Sequence, residues 1–401
     1  MCPANPALDP SAVRAPRSRS PPIIRNCGRV TRTRPVGGAT TSRPPSRTRW
    51  PATRSASRST ASDRATSSPR SDAAEGWGEC VADIVPDFSS EWNQSVWGAI
   101  EGFLGPAVLH EQDVSAGSLS DLFGFVRGNP MAKATLVNAI LDAELRQRDE
   151  SLASYLGADK RTVVCGVSVG ITETVDELRA QVDGYLAEGY RRIKLKIAPG
   201  LDLNRVAPIR ADHPDILLSV DANAAYTLED VDVLRALDDF ELLMIEQPLH
   251  HEDLVQHAKL QAQIRSDLCL DESIRSAADA AAALELGACR IVNIKQGRVG
   301  GVLEARAVHD VCLRAGVPVW CGGMLETGIG RATNLALATM PGFTLPNDTS
   351  ASARYFPEDL TEPFVLGSDG TMEVPHGPGI GVVPLPDRLA ACTLRREVLE
   401  A

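Results

Sequence analysis

The stretch "RRIKLKIAPG", residues 191–200, alternates apolar side chains with two lysines. Successive side chains of a β-strand point to opposite faces, so Lys194 and Lys196 share one face of a predicted strand and the apolar residues share the other. The chain contains only 6 lysines beside 35 arginines. A pair of these scarce lysines on one face of one strand therefore indicates a chemical function.

A regular alternation of strand and helix extends outward from this stretch. Strands alternating with helices predict parallel strands joined by helical crossovers. Eight strands within roughly 180 residues predict an α/β fold of the TIM type, a (β/α)7β barrel. A doubly wound open sheet is the alternative, but its glycine fingerprint is absent after the first strand. The strand-like runs are CGVSVGI, IKLKI, ILLSVDAN, LLMIEQP, LCLDES, CRIVNIK, VPVWCGG and FTLP.

Charged residues occur at the C-terminal ends of five successive predicted strands. Their spacings of 25, 25, 25 and 24 residues match one strand-plus-helix repeat, so they meet at the end of the barrel that carries active sites. Taken singly, a KxK pattern is typical of a solvated strand face, and an acid at a strand end is typical of a helix cap. Neither interpretation explains the fixed spacing. The residues are Lys196, Asp221, Glu246, Asp271 and Lys295.

Three carboxylates from adjacent strands cannot all ionise at close range without a cation. An oxygen-only set suits Mg²⁺, with Mn²⁺ or another divalent cation able to substitute. Such a cation stabilises the enediolate that forms when the α-proton of a bound carboxylate leaves.

An ordinary lysine has a pKa of about 10.4, which is too high for a base at neutral pH. A neighbouring lysine and a metal ion both lower this pKa. We therefore interpret Lys196 as the base and Lys194 as its electrostatic partner, which also contacts the substrate carboxylate. Lys295 approaches from the other side of the barrel.

Several segments resemble the o-succinylbenzoate synthase and N-acylamino acid racemase family, which belongs to the muconate-lactonising subgroup of the enolase superfamily. The resemblance runs from about Glu75 to the C-terminus. A KxK on the second strand and a lysine on the sixth match the subgroup. The histidine of the mandelate racemase subgroup is missing from VPVWCGG, and the DxD of dipeptide epimerases is missing from TLPNDTS. The matching segments are SVDANAAYTLED, MIEQPL, LCLDESI, NIKQGRVGG and WCGGMLETGIGRATNLALA.

The resemblance implies a role for each of these positions. Asp221, Glu246 and Asp271 would hold the metal, and Lys196 and Lys295 would form the acid/base pair. Asn223, Gln247 and Glu272 would support the metal ligands from behind. Gly322, Gly323 and Met324 would line the acyl side of the substrate.

Two glycine-rich segments lie outside the set of charged strand ends. In GGMLETGIG, residues 322–330, the turn precedes a helix whose N-terminus and glycine amides offer an anion site. The second segment, GPGIGV at residues 377–382, is interpreted as a turn near the capping domain and receives no chemical role.

Three functions fit these residues. The first is a lyase that dehydrates the cyclohexadiene precursor of o-succinylbenzoate in menaquinone synthesis. Lys196 would take the α-proton and return it to the leaving hydroxyl, and Lys295 would stabilise the enediolate. The second is an isomerase that racemises N-acylamino acids such as N-succinylamino acids, with the two lysines acting on opposite faces. The third is an inactive barrel with a defective lid.

The first 70 residues differ in composition from the rest. They contain 14 arginines, 2 acids, 11 prolines and 11 serines, and they carry a net charge of +12, whereas the whole chain carries −11. Such a composition is typical of a disordered segment, of a nucleic-acid-binding arm or of a transit peptide. A frameshifted reading of a GC-rich gene is a further hypothesis. If the first 70 residues are disordered, the capping domain lacks its first strands and the strand beginning at GWGEC has an unpaired edge.

We divide the chain into a disordered basic segment at 1–74, part of an α+β capping domain at 75–160, the barrel at 161–350 and a returning segment at 351–401. No apolar run approaches the roughly 18 residues that a membrane helix needs. Nine cysteines without CxxC spacing predict reduced thiols and a cytoplasmic protein. We expect a small-molecule carboxylate substrate and a homo-oligomer, with neither membrane nor nucleic acid as a partner.

Overall fold

The computed structural model describes residues 26–31, 74–86, 89–158 and 160–399 of the 401-residue chain. Of residues 26–31 it describes the backbone alone. The disorder predicted for the first 70 residues therefore falls largely outside the described residues.

Seven parallel strands form a curled sheet in the order β10-β9-β8-β7-β6-β5-β4, so each strand lies beside its neighbour in the chain. Residues 343–347 close the ring. Phe343 bridges to β10, and Asn347 bridges to Cys165 beside β4, both in the parallel sense. This is the predicted barrel, with its eighth strand reduced to two bridges. The seven strands are β4 (Gly166–Val169), β5 (Arg192–Lys196), β6 (Leu217–Asp221), β7 (Ile245–Glu246), β8 (Leu268–Leu270), β9 (Ile291–Ile294) and β10 (Val319–Cys321).

Helices connect successive strands, as the alternation predicted. The first of them, α6, begins with a capping box in which the Thr174 hydroxyl accepts from the Glu177 amide, and it ends at Gly189 with a φ of 105°. The barrel helices are α6 (Val175–Glu188), α7 (Leu203–Asp212), α8 (Val231–Ala236), α9 (Leu254–Gln261), α10 (Ala277–Leu286), α11 (Gln296–Val299), α12 (Val302–Arg314) and α13 (Gly328–Leu337).

Strand register places three of the charged strand ends at one height. Lys196 of β5 pairs with Asp221 of β6, and Asp221 pairs in turn with Glu246 of β7. The interior holds a buried apolar cluster of Met244, Cys269, Ile291 and Trp320 beside the buried cations Arg192 and Lys194. A packed interior beneath the strand ends directs the charged side chains to the mouth of the barrel.

The capping part precedes the barrel and packs through strand β2 (Glu75–Cys80) on helix α4 (Pro130–Gln147). Glycine is required where the two meet, because a Cβ at Gly76 or Gly78 would lie 2.0 Å from a carbonyl oxygen of α4. Asp142 of α4 accepts from the Trp77 amide at 2.8 Å. The other helices here are α1 (Asn93–Ala99), α2 (Gly105–His110), α3 (Leu119–Leu122) and α5 (Leu152–Tyr155), with a π-helical turn at Ile100–Leu104.

The expectation of an unpaired edge on the GWGEC strand is wrong. Strand β2 pairs antiparallel with β1 (Asn26–Thr31), from Asn26 opposite Cys80 to Thr31 opposite Glu75. Extended residues inside the basic N-terminal segment cover this edge, which composition alone did not reveal.

The C-terminal segment runs back along both parts. Strand β11 (Thr371–Glu373) pairs antiparallel with β3 (Thr162–Val164), and helix α14 (Pro386–Cys392) follows. The Ile380 amide donates to Asp142 at 2.7 Å, so the GPGIGV turn contacts the capping helix α4. The remaining 3₁₀ turns are Ala116–Ser118, Phe123–Phe125, Leu228–Asp230, Leu237–Phe240 and Ser352–Arg354.

Two further sequence expectations concern the described residues. None of their helices is long and apolar enough to cross a membrane. The cysteines whose side chains the structure describes are free thiols, in agreement with the predicted reduced state: Cys80, Cys165, Cys269, Cys289, Cys312, Cys321 and Cys392.

Candidate active site

Lys196 lies at the end of β5, and its side chain is 28% exposed at the mouth of the barrel. Its Nζ donates to Asp221 Oδ2 at 2.6 Å and also to Asn223 Oδ1. Asn223 in turn donates its backbone amide to Asp221 Oδ1 at 3.0 Å. The exposed lysine is therefore held by two oxygen acceptors on the next strand, with solvent access on its remaining side.

Lys194 is buried two residues earlier on the same face, at 3% exposure. Its Nζ lies 2.7 Å from Glu246 Oε2, 3.0 Å from Asp348 Oδ2 and 3.3 Å from Asp221 Oδ2. It also lies 4.7 Å from the centre of the Trp320 ring, a cation–π distance. Burial alone lowers the pKa of Lys194, but the three carboxylates outweigh it and raise the net pKa well above its usual value.

Glu246 ends β7 and is fully buried. Its Oε2 accepts from Lys194, and its Oε1 accepts from Asn293 Nδ2 at 2.7 Å. Burial, together with the neighbouring charges of Asp221 and Asp271, raises the pKa of Glu246 to about 8. The carboxyl group thus lies in an environment that disfavours another negative charge, as expected where several carboxylates converge.

Asp271 follows β8 and carries cations on both oxygens. Lys295 Nζ lies 2.8 Å from Asp271 Oδ2, and Arg298 donates to Oδ1. Burial alone raises the pKa of Asp271, but Arg298 and Lys295 outweigh it and hold the net pKa well below its usual range. Lys295 thus stands across the site from Lys196, each lysine bonded to a different strand-end carboxylate.

Side chains behind the carboxylates fix their positions. Gln247 Oε1 accepts from the Asp271 amide at 3.0 Å, and its Nε2 donates to Ser273 at 2.8 Å. Asn223 Nδ2 donates to Glu272 Oε1 at 2.8 Å. Asn223 and Gln247 both have positive φ angles, 42° and 39°, which cost energy in non-glycine residues and occur at functional sites.

Gly322 and Gly323 follow β10 and leave room for groups of the site. A Cβ on Gly322 would lie 2.3 Å from Asn293 Oδ1 and 2.6 Å from Lys295 Cε. A Cβ on Gly323 would lie 2.1 Å from the Asp348 carbonyl oxygen. Gly322 therefore lies directly against Lys295, Gly323 lies against the Asp348 backbone, and Met324 follows them in the chain.

The expectation of an anion site at the helix after this segment is wrong, because carboxylates of the protein occupy its amides. The Thr327 and Gly330 amides donate to Glu79, and the Gly328 amide donates to Asp359 at 2.8 Å. The Met324 amide donates to Glu326 at 2.8 Å. The anions at this helix N-terminus are thus side chains of the chain itself.

The sequence interpretation missed three residues of the site. Asp348 bonds to Lys194 and accepts from Arg192 at 2.9 Å and Ser168 at 2.8 Å. It follows the eighth strand-like run, as the other acids follow theirs, so the same rule applied once more would have found it. Asn293 and Arg298 lie near Lys295, but their residue types alone gave no signal.

The donor chemistry of the three strand-end carboxylates suits a divalent cation. Among the described residues their oxygens do not all lie within 4.8 Å of one another, and each carboxylate bonds a lysine. Asp221, Glu246 and Asp271 are at most 1% exposed, and they are adjacent in strand order. Their donor atoms are all oxygens, the ligand type that hard cations such as Mg²⁺, Ca²⁺ and Mn²⁺ prefer. Glu272 Oε2 lies nearby and is buried without a hydrogen-bond partner among the described residues.

Comparison with known proteins agrees with this geometry. The family described as enolase C-terminal domain-like matches residues 177–388. An N-succinylamino acid racemase of Amycolatopsis is 54% identical over 80% of this chain and 87% of its own. The chain belongs to the enolase superfamily. An o-succinylbenzoate synthase of Geobacillus kaustophilus is 48% identical over 77% of this chain and 83% of its own.

A solved structure of an enolase superfamily member from Listeria innocua has a TM-score of 0.77 and 40% identity, over 80% of this chain and 86% of that one. These matches confirm the predicted o-succinylbenzoate synthase and N-acylamino acid racemase family. They also confirm the predicted barrel with a capping domain. Members of the superfamily depend in general on a divalent metal ion, in agreement with the donor set above.

Proposed function

We propose that this enzyme is a Mg²⁺-dependent o-succinylbenzoate synthase that dehydrates its substrate through an enediolate. The observation that supports this most directly is the pair of lysines, Lys196 and Lys295, on opposite sides of three buried strand-end carboxylates. A base on each side of a cation site suits removal of the proton α to a carboxylate.

Asp221, Glu246 and Asp271 would hold the Mg²⁺. The bound cation supplies positive charge that stabilises the enediolate oxygens. Lys194, which bonds Asp221, Glu246 and Asp348, holds these carboxylates together and would be a further positive charge for the substrate carboxylate. Asn223, Gln247 and Glu272 orient the ligands, and the segment Gly322–Met324 borders the acyl side of the substrate.

In dehydration, the Lys196 amine takes the α-proton as the C–H bond breaks. The electron pair then forms the carbon–carbon double bond as the β-hydroxyl leaves. Lys196, now an ammonium, returns the proton to the hydroxyl on the same face, so that water departs and the base is restored. Lys295 stays protonated and stabilises the enediolate from the opposite face.

The alternative is racemisation of N-acylamino acids, such as N-succinylamino acids. It is favoured by the racemase of Amycolatopsis, at 54% identity. The two lysines on opposite sides suit it, because one removes the α-proton and the other supplies a proton to the other face. The same residues serve both reactions.

Side-by-side assays of the purified chain with the dehydration substrate and an N-succinylamino acid test both functions. We expect Mg²⁺-dependent turnover of the first, lost with EDTA and restored by Mg²⁺ or Mn²⁺. Turnover of the N-succinylamino acid alone would make the racemase the function. No turnover of either would favour the third hypothesis, an inactive barrel. The control Lys259→Ala removes an exposed lysine of α9 and should leave both rates unchanged.

The cellular location and the oligomeric state of the chain are also proposals. A cytoplasmic location and a homo-oligomer suit a metabolic enzyme of this family. Gel filtration with light scattering measures the oligomer.

A further inference from the structure

Glu79 of the capping strand β2 reaches the start of the barrel helix α13 and is only 4% exposed. Its Oε1 accepts from the Thr327 amide at 2.9 Å. Its Oε2 accepts from the Thr327 hydroxyl at 2.8 Å and from the Gly330 amide at 2.9 Å. One carboxylate of the capping part thus binds three donors at the start of α13.

Both partners are shaped for this contact. In β2, Gly76 and Gly78 face α4, so strand alternation directs Glu79 to the opposite side, toward α13. In α13, a Cβ on Gly330 would lie 2.8 Å from Glu79 Oε2. A carboxylate is also the charge that a helix N-terminus stabilises, so the interaction is charge-assisted.

The anchored residues continue directly into the segment that borders the site. Glu326, next to Thr327, accepts from the Met324 amide at 2.8 Å and from Asn334 of α13 at 2.9 Å. Gly322 precedes it and lies against Asn293 and Lys295, and Gly323 lies against the Asp348 backbone. Residues 322–330 are therefore fixed at one end by the barrel mouth and at the other by the capping strand.

We infer that Glu79 is a positioning residue that couples the capping strand to the segment Gly322–Met324 and so sets how tightly the acyl group of the substrate is bound. The inference rests on the proposed function, which places the acyl group against this segment. It assigns Glu79 no contact with substrate or metal. Its loss should therefore affect KM for long acyl groups and leave proton transfer by the lysines intact.

The variant Glu79→Gln keeps the shape of the side chain but exchanges one acceptor oxygen for an NH₂ group that faces N–H donors. Thr327→Val removes only the hydroxyl donor and serves as a milder change to the same contact. Glu188→Gln, on the exposed end of α6, is the matched control.

Racemisation of an N-succinylamino acid and of its N-acetyl counterpart gives the decisive readout. We expect Glu79→Gln to raise KM for the N-succinyl substrate by about 10-fold, the size of one charge-assisted hydrogen bond. The N-acetyl KM, kcat and the Mg²⁺ affinity from titration calorimetry should stay within about 2-fold, because the lysines and the metal ligands are untouched. Equal KM changes for both substrates, or a lower Tm with unchanged KM, would reduce Glu79 to a structural cap and overturn the inference.

Hydrogen exchange separates this inference from the proposed function. Amides of residues 324–330 should exchange faster in Glu79→Gln, while the barrel strands keep the wild-type rate. If the wild-type chain turns over neither the dehydration substrate nor an N-succinylamino acid, the proposed function and its alternative both fail, and faster exchange still supports the coupling of capping strand and segment. Unchanged exchange at residues 324–330 overturns the coupling, whatever the activity.

Discussion

Lys194 and Lys196 are the same residue type on the same face of one strand, yet their surroundings differ. Lys194 is 3% exposed and touches three carboxylates and the face of Trp320. Lys196 is 28% exposed and touches one carboxylate and one amide. A cation held by three buried anions is fixed in place, whereas a cation with two acceptors and an open side can exchange a proton with substrate.

The comparison shows that two lysines of one strand take different chemical roles because they lie at different depths along it. Two residues of strand move a side chain from the packed interior to the barrel mouth, a rise of about 6.6 Å. The deeper lysine holds the carboxylates together, and the outer lysine faces the substrate. Four predictions test this division.

The largest expected effect belongs to Lys196→Ala. Removing the proposed base should lower kcat by about 10²–10⁴-fold for dehydration and for racemisation, the usual contribution of general acid–base catalysis. The free energy of unfolding should stay near the wild-type value. Steady-state kinetics and urea unfolding measure both, with Lys259→Ala as the control. Wild-type kcat would show that another group takes the proton.

Lys194→Met tests the buried side of the comparison in metal-free protein. It leaves Asp348, Glu246 and Asp221 without a shared cation, so it should lower the free energy of unfolding by about 3–5 kcal/mol. Lys196→Met, at the mouth, should lower it by about 1 kcal/mol or less. Urea unfolding in EDTA measures the pair, and added Mg²⁺ should restore part of the first loss. Equal effects of the two changes would contradict the division.

Glu246→Gln tests the proposed metal site through Glu246, a carboxylate that Lys194 also bonds. It removes one of three anionic ligands at nearly constant shape, so Mg²⁺ affinity should fall by at least about 10-fold. Titration calorimetry measures the change, with Glu285→Gln on the exposed face of α10 as the control. Unchanged affinity would remove Glu246 from the metal site.

His257 gives the smallest effect and extends the comparison to a buried neutral base. Its Nε2 accepts from the Leu249 amide at 3.2 Å, and burial lowers its pKa. Below pH about 6.5 the unfolded chain takes up a proton that folded His257 resists, so stability falls as the pH drops. The loss should be at most about 1.4 kcal/mol per pH unit. Glu246, with its pKa raised to about 8, contributes a slope of opposite sign in every variant, so the difference between variants is the test. Urea unfolding at pH 7.5 and 5.5 should show a less favourable change on acidification for wild type and His376→Gln than for His257→Gln. An equal change in His257→Gln would contradict the assignment.

Sequence reasoning was strongest where a local rule repeats. The spacing of Lys196, Asp221, Glu246, Asp271 and Lys295 follows the length of one strand-plus-helix unit. Parallel register brings Lys196, Asp221 and Glu246 to one height. Asp271 lies two residues beyond Cys269, the partner of Glu246, and its ion pair with Lys295 completes the group. The barrel and the meeting of these five side chains could therefore be predicted.

Contacts that depend on tertiary packing could not be predicted. Glu79 reaches Thr327 across 248 positions, and no local pattern indicates which carboxylate will fill the N-terminus of α13. Arg298 reaches Asp271 from α11, a helix of only 4 residues whose periodicity is too short to detect. Strand β1 pairs with β2 although its surroundings have the composition of a disordered segment.

The central claim is that Lys196 and Lys295 act on opposite faces of one α-carbon. The most direct test is ¹H NMR of α-proton exchange in D₂O with Mg²⁺, using each enantiomer of an N-succinylamino acid in turn. Lys196→Ala should still exchange one enantiomer and Lys295→Ala only the other, while neither racemises. Exchange of both enantiomers in either variant, or of the same one in both, would contradict the account.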